Sequence, residues 1–338
     1  MTKAILITGG AGYIGSHTSF LMAQKGYKVI ILDNFVHDQI FNPQWATVIK
    51  KDFSDKKTLD MIFSNYKIEA VMHFAAFIEV GKSIKNPMKF YKNNVSKTIS
   101  LIESMITYGV NKFIFSSSCA IYGNPQELPI TENHPKNPIS PYGKNKLMIE
   151  MALEDFNQAY GLQFISLRYF NAAGSMPHYG LGEQHKPETH VIPLILTAAF
   201  EQKPFYIFGT KYQTKDGSCI RDFVHVWDIA NAHWLALENL NKKNPSDCFN
   251  LGTGEGFSVK QLINTVEKIC RTKIKTLTKN KRIGDPPILI ADPSKAFNIL
   301  KWKPLHSDLE FIIKTAYTFQ IDQQRTHITQ NSKILQKN

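Results

Sequence analysis

Residues 8–15 read TGGAGYIG, with Gly9, Gly12 and Gly15 at intervals of three. The triplet directly follows a short apolar run, AILIT, and opens an amphipathic stretch, YIGSHTSFLMAQK. Glycines so placed permit a tight turn and let main-chain N–H groups approach a pyrophosphate at the N-terminus of the next helix. A second apolar run, VIILD, ends at Asp33. A carboxylate there can accept a hydrogen bond from a ribose 2′-hydroxyl and repels a 2′-phosphate, which favours NAD over NADP. A glycine triplet alone is weak evidence. Set between a strand and a helix, with an acid closing the next strand, it predicts a dinucleotide-binding turn.

The first half of the chain repeats this alternation. The runs TVIKKD, AVMHFA, KFIFSS and FISLRY are separated by amphipathic stretches such as DKKTLDMIFSNY and PMKFYKNNVSKTISLIESMITYG. Near-continuous apolar strands belong to a parallel sheet buried on both faces. Strand, helix, strand in this order predicts an α/β fold, a Rossmann-type doubly wound parallel sheet. After residue 170 the pattern breaks into loops rich in Gly, Pro and His, and one further unit, RDFVHVWDIANAHWLALENL into CFNLG, can rejoin the sheet. The expected organisation is a dinucleotide domain over 1–169, rejoined by about 223–252, with a smaller, discontinuous α/β substrate lobe over 170–222 and 253–320. Residues 321–338 lack an apolar period and are expected to form a polar, frayed tail.

Residues 140–146 read SPYGKNK. Ser140 offers a capping hydroxyl and Pro141 a φ already near helical, so a helix should start here. Tyr142 and Lys146 are then i and i+4 on one face. A free phenol has a pKa of about 10 and is a poor base at neutral pH. A nearby ammonium favours the phenolate, which is the functional reading of the spacing. Taken alone, the pattern also describes a surface tyrosine lying on a lysine stem. Its place after the fifth strand of a dinucleotide sheet favours function, because such strands carry ligands at their C-terminal ends. That strand ends in SSS, which puts Ser118 near the same crevice. Depressing a phenol by about 3 units takes about 4 kcal/mol, more than an exposed ion pair supplies. The site should therefore be partly closed to water.

Composition excludes other classes. With 43% hydrophobic and 20% charged residues among 338, the chain reads as an ordinary soluble globular protein. No apolar run approaches the about 18 residues of a membrane span, and the start is too short for a signal sequence. The net charge of +12 is spread out, KNKR at 279–282 being its densest cluster, so a nucleic-acid partner is not expected. Cys119, Cys219, Cys248 and Cys270 show no metal-like spacing and suit free thiols in a reducing cytoplasm.

The blocks TGGAGYIGSHT, ILDN, HFAA, FSSSCAIYG, SPYGKNKLM, LRYFNAAG, DGSCIRDFVHV and NLGTGEGFSV resemble the extended short-chain dehydrogenase/reductase family, from residue 3 to about 317. Within it they are most similar to members that invert sugar nucleotides at C4. The resemblance implies an NAD lobe, a lobe holding a UDP-sugar, a homodimer and a cytoplasmic isomerase. It implies reversible oxidation at C4 through a 4-keto sugar, with UDP-glucose and UDP-galactose as the main pair. The N-acetylhexosamine and pentose pairs are the alternatives.

By the same resemblance Tyr142 is the acid/base and Lys146 its modulator and a nicotinamide-ribose ligand. Ser118 would bond the 4-oxygen, since a hydroxyl both donates and accepts. Gly9, Gly12, Tyr13, Ile14, Gly15, Asp33, Asn34, Asp52, Phe53, Phe74, Ala75, Asn93, Ser116 and Phe170, with Tyr142 and Lys146, match cofactor positions. Asn171, His190, Phe208, Arg221, Arg282 and Asp285 match positions holding UDP, and the arginines suit bidentate contacts to a diphosphate. Leu289 aligns beside the sugar's C2 substituent, where the family carries tyrosine or something smaller. Three departures stand out. Ile78 replaces a lysine, His190 replaces an asparagine, and the stretch after Asn34 lacks an Asn-Ser-Lys cluster, leaving adenosine-ribose contacts unassigned.

A dehydratase of the same fold needs a further acid and base just after Ser118, where Cys119 and Ala120 stand, so dehydration is disfavoured. A decarboxylase is weakened by the same gap. An NAD-sensing module without chemistry is disfavoured by the intact Ser118, Tyr142 and Lys146. His178, His185 and His190 suggest metal, but no ligand spacing supports it, so no metal is expected. Asp216 and Asp222 flank Arg221 and are expected to orient it.

Overall fold

The apolar runs form strands where the sequence predicts them. The computed structural model describes residues 3–36, 41–185, 187–282 and 285–335, with side chains to residue 325. Six strands follow in chain order: β1 (Ala4–Thr8), β2 (Lys28–Asp33), β3 (Ala46–Lys50), β4 (Ile68–His73), β5 (Lys112–Ser118) and β6 (Gln163–Tyr169). The helices among and after them are α1 (Tyr13–Gln24), α2 (Lys56–Asn65), α3 (Val80–Lys85), α4 (Pro87–Phe90), α5 (Lys97–Thr107) and α6 (Pro141–Tyr160). Between α4 and α5 the chain stays helical through a π turn at Tyr91–Ser96, so the long amphipathic stretch is one helical path with a wide turn in it.

The chain then makes β7 (Asn171–Ala173), α7 (Val191–Glu201), β8 (Phe205–Phe208), β9 (Ile220–Arg221), β10 (Phe223–His225) and α8 (Val226–Asn241). It continues through β11 (Asp247–Leu251), β12 (Phe257–Ser258), α9 (Val259–Cys270), β13 (Thr276–Lys279), β14 (Ile288–Leu289) and α10 (Leu309–Leu335). Among the described residues β11 joins the first six strands in a seven-stranded sheet of order β11-β6-β5-β4-β1-β2-β3. Every pairing in it is parallel. The strand order reverses between β1 and β4, and a crevice opens there beyond the carboxyl ends.

Alternation along each strand fills both faces. Ile5 and Ile7 of β1 pack with Met22 of α1 and with Ile229, Ala236 and Leu237 of α8. Ala4 and Leu6 face Leu59 and Ile62 of α2, Leu101 and Met105 of α5, and Leu153 of α6. Each fully buried aliphatic side chain stabilises by about 1.5–3 kcal/mol, so a one-residue slip that turned them outward would cost both cores. A third core lies in the C-terminal half, where Leu196 of α7, Leu262 and Val266 of α9, and Ile312 and Ile313 of α10 meet. The polar stretch after Ile321, expected to fray, instead continues α10 as helix to Leu335. Residues 336–338 of that expected tail lie outside the described residues.

The start of α6 has the expected form. Ser140 Oγ accepts from the Gly143 amide at 3.1 Å, Pro141 takes the first turn, and Gly161 ends the helix with φ of 68°. Ser140→Ala should cost about 0.5–2 kcal/mol, read as a lower urea midpoint at unchanged slope. An unmoved midpoint would mean that packing alone sets this helix start.

Candidate active site

The glycine loop fits a dinucleotide because its atoms leave no room for side chains. Gly9 has φ of +71°, and a Cβ on it would stand 2.5 Å from the Ala75 amide nitrogen. A Cβ on Gly15 would strike the Gly9 carbonyl, so α1 begins directly against the loop, with Gly12 as its N-cap. Asp33 closes β2. Its Oδ2 accepts from the Ala11 amide at 3.0 Å and its Oδ1 from the Phe35 amide at 2.9 Å. The acid is thereby held at the rim of the glycine turn. Tyr13 Oη donates to the Gly174 carbonyl at 2.6 Å, tying α1 to the segment after β7.

On the other side of the crevice, Lys146 is 2% exposed and its Nζ donates to the Ser116 carbonyl at 2.6 Å. The same nitrogen lies 5.8 Å from the centre of the Tyr142 ring. Burial pulls the lysine down to about 7, against an opposing pull from Glu150. Burial also pushes Tyr142 up to about 12, although a hydrogen bond from Ser118 works the other way. The chain's own field therefore does not depress the phenol as the Tyr–Lys spacing predicts. The reason is that the closure which would strengthen a Lys–Tyr interaction also strips both charged forms of water. A further positive charge is needed beside the ring.

Residues expected to meet a nucleotide sugar come from the C-terminal half. The Arg221 guanidinium is ion-paired with Asp285, and its Nη2 also donates to the Pro286 carbonyl at 2.8 Å. Arg282 stacks 4.3 Å over the Phe208 ring. Leu289 of β14 pairs with Arg221 of β9 in parallel register. His190 caps α7 beside Glu183 and Glu188. All these groups except Glu188, together with the glycine loop, line one cleft of about 1320 Å³, which exceeds the about 300–1,000 Å³ of a single small-ligand site. There is room for two ligands end to end.

Of the candidate residues, Asp52 alone does not line this cleft. Its Oδ2 takes Lys97 Nζ at 2.5 Å and its Oδ1 accepts from Ser54 Oγ at 2.7 Å, so it fastens the end of β3 to α5. Burial opposes its ionisation, but those partners hold the carboxyl below the usual range. Its neighbour Phe53 does line the cleft. Nor do Asp216 and Asp222 orient Arg221. Asp216 accepts from Ser218 and Ser258, and Asp222 from the Thr253, Gly254 and Ala291 amides. Asp285, distant in sequence, takes the arginine instead.

A model of the NAD dependent epimerase/dehydratase family matches residues 5–252. The UDP-glucose 4-epimerase of Halalkalibacterium halodurans is 45% identical over 97% of this chain and 98% of its own. The chain belongs to the NAD dependent epimerase/dehydratase family. Among solved structures, UDP-glucose 4-epimerase from Brucella ovis in complex with NAD superposes with a TM-score of 0.88 at 41% identity, covering 94% of this chain and 98% of that one. The UDP-Glc/GlcNAc 4-epimerase of Campylobacter jejuni superposes with a TM-score of 0.81, also at 41% identity, over 95% of this chain and 100% of that one.

Several parts of this family site carry no signal in one sequence. Ser83 Oγ accepts from the Tyr142 amide at 3.2 Å. Tyr169 Oη is hydrogen-bonded to Ser116 Oγ. The π turn sets Asn93 at the cleft, while Asn94 Oδ1 accepts from the Phe77 amide at 2.9 Å and its Nδ2 donates to the Phe77 carbonyl at 2.9 Å. One turn past Lys146, Glu150 receives Arg168 Nε at 2.9 Å, Arg168 Nη2 at 2.7 Å and Ser117 Oγ at 2.6 Å. Arg168 Nη1 donates onward to Tyr122 Oη at 2.9 Å, and Tyr122 Oη to Asn250 Oδ1 at 2.7 Å. This fully buried network pins α6 to β5, β6 and β11.

Arg168→Met leaves the Glu150 carboxylate buried without its cation and should cost about 3–5 kcal/mol. Adding Glu150→Leu should recover most of that loss in urea unfolding. Lys146 gives a pH signature. Its folded value of about 7 lies below the about 10.4 of a free lysine, so between those limits the unfolded chain binds more protons and stability rises with pH. Below about 7 the cost of the buried ammonium is fully present. The stability advantage of Lys146→Met over wild type should therefore shrink between about pH 7 and about pH 10.4. A constant difference would mean that the amine titrates as it does in water.

Proposed function

We propose that the protein interconverts UDP-glucose and UDP-galactose by reversible oxidation at sugar C4. The observation that carries this reading is the placement of Ser118, Tyr142 and Lys146 in one cleft with the glycine loop and with Arg221 and Arg282. Residues 1–169 with about 223–252 form the NAD domain; 170–222 with 253–320 form the UDP-sugar lobe. The glycine turn, Asp33 and Lys146 would hold NAD, which when bound supplies a hydride acceptor at C4 and returns the hydride to the opposite face of the ring.

Each of the chain's own groups has a definable task. Tyr142 takes the proton of the 4-hydroxyl and gives it back. Ser118, which lines the same cleft, holds the 4-oxygen. Lys146 braces the ribose and, with the cofactor's positive ring, brings the phenol down from about 12 toward working range. Arg221 and Arg282 hold the diphosphate, and the cleft leaves space for a 4-keto sugar to turn over. Dehydration is not favoured. Burial pushes the Cys119 thiol up to about 12, so it is neither a base nor a nucleophile near neutral pH.

The protein acts as a cytoplasmic homodimer in this reading. Its cysteines are free thiols, and among the described residues no helix is long and apolar enough to cross a membrane. The outer faces of α5 and α6 carry Ile99, Met148 and Met151 in exposed positions that a second copy would cover.

Purified protein given UDP-galactose without added cofactor should form UDP-glucose, resolved by chromatography. Tyr142→Phe should fold and keep NAD, yet turn over at least about 10²-fold more slowly. Near-native turnover in that variant would sink the mechanism. For specificity, Leu289 is half-buried in the cleft and leaves more room than tyrosine. A misfit of methyl size costs only about 1–3 kcal/mol, so the N-acetylhexosamine pair should show measurable side activity. Leu289→Tyr should lower kcat/KM for that pair selectively. An unchanged ratio of N-acetyl to plain sugar would show that the gate lies elsewhere.

A further inference from the structure

Beyond the reacting groups, the segment between β7 and α7 gathers a second cluster. Met176 pairs with Leu181 across a tight turn, and the chain then brings Glu183, His185, Glu188 and His190 together. Glu183 Oε1 lies 3.1 Å from His185 Nδ1 and 2.6 Å from His190 Nδ1. Glu188 Oε1 lies 2.9 Å from the same His190 Nδ1. One donor atom from each of the four lies within 4.8 Å of every other. The E-x-H-x-x-E-x-H spacing matches no common metal motif, which is why the histidines alone did not point here. His178, the third histidine, is outside the cluster and packs on Tyr179 with ring centres 5.0 Å apart.

The charge arrangement asks for more than an imidazole. The Glu183 side chain is only 7% exposed, and among the described residues its ion pairs are with the two histidines. Glu188 also pairs with His190 and not with any lysine or arginine among them. Buried carboxylates are paired or ligate a cation. Here two carboxylate oxygens converge on one Nδ1, which carries at most one proton and can aim it at one of them. A metal ion satisfies all four lone pairs at once.

The donor set selects the ion. Two imidazole nitrogens with two carboxylate oxygens suit Zn²⁺ and are a poor match for Ca²⁺ or Mg²⁺, which take all-oxygen shells. Tetrahedral bonds of about 2.0–2.2 Å put neighbouring ligand atoms about 3.3–3.5 Å apart. The three histidine–carboxylate spacings here, 2.6, 2.9 and 3.1 Å, are shorter than that and every pair lies within 4.8 Å, so outward rotamer adjustments complete the shell. We infer that Glu183, His185, Glu188 and His190 form a closed, four-ligand Zn²⁺ site that clasps the loop before α7 to the N-cap of that helix. With all four positions filled by protein, the ion is structural and does not polarise substrate. Because Glu183, His185 and His190 also line the large cleft, the clasp would fix the cleft wall near Asn171.

The test is metal binding by the full chain, independent of turnover. Protein stripped with chelator should take up one Zn²⁺ per chain in calorimetry, gain thermal stability on loading, and resist displacement by excess Mg²⁺. Co²⁺ in place of zinc should give the intense visible bands of a tetrahedral N/O site. His185→Gln and Glu188→Gln should each fold but bind Zn²⁺ at least about 100-fold more weakly, beyond the loss expected from an outer-shell partner. Glu188→Gln keeps an oxygen for the Thr189 and His190 amides, so it isolates the lost charge. Absence of stoichiometric uptake by wild type, or uptake retained in both variants, would overturn the site.

Discussion

The hydrogen bond from Lys146 Nζ to the Ser116 carbonyl joins the helix that carries Tyr142 to the strand that carries Ser118. The groups of α6 that flank the lysine are registered from it. One turn before the lysine, Tyr142 faces the crevice; one turn after it, Glu150 is anchored by Arg168 and Ser117. Moving α6 along its axis would break the ammonium contact and the buried ion pair together. Each would leave a charge in a dry place, which a helix cannot offset by propensity. The spacing between phenol, amine and Ser118 is thus set by the cost of breaking either anchor.

The two halves of the chain meet the same constraint differently. In the first, a parallel sheet with helices on both faces leaves its polar ends only at the strand termini, so the reversal between β1 and β4 is where a ligand can reach main-chain N–H groups. In the second, short strand pairs and three helices build a smaller core, and charged side chains at its margin face the same opening. Tyr13 and Gly174 bridge the two halves across the crevice.

What was legible in the sequence was what depends on neighbours in the chain. The glycine turn, the acid at the end of β2, the cap at Ser140 and the apolar runs are local patterns, and they led to the sheet and to the family. Pairings across long separations carry no such pattern. Arg168 with Glu150, Arg221 with Asp285 and Asp52 with Lys97 each join residues from different elements. That is why Asp52 reads as a cofactor residue in a motif, while the bond that fastens it to Lys97 shows only in space. Acidity was the other blind spot. Spacing identifies a phenol and an amine on one helix face, but only burial decides that the first is pushed up and the second down. The polar end of α10 misled for a third reason, since helical backbone can persist without an apolar stripe.

The ion pair of Arg221 with Asp285 changes what binding an anion means in this cleft. The guanidinium is already engaged, so an arriving anion exchanges one anionic partner for another. The gain is the difference between two ion pairs, and the displaced carboxylate remains close enough to reclaim the arginine. Such a contact discriminates by geometry while staying shallow in energy. For a catalyst whose substrate and product carry the same charge in the same place, a shallow hold serves turnover better than a deep one.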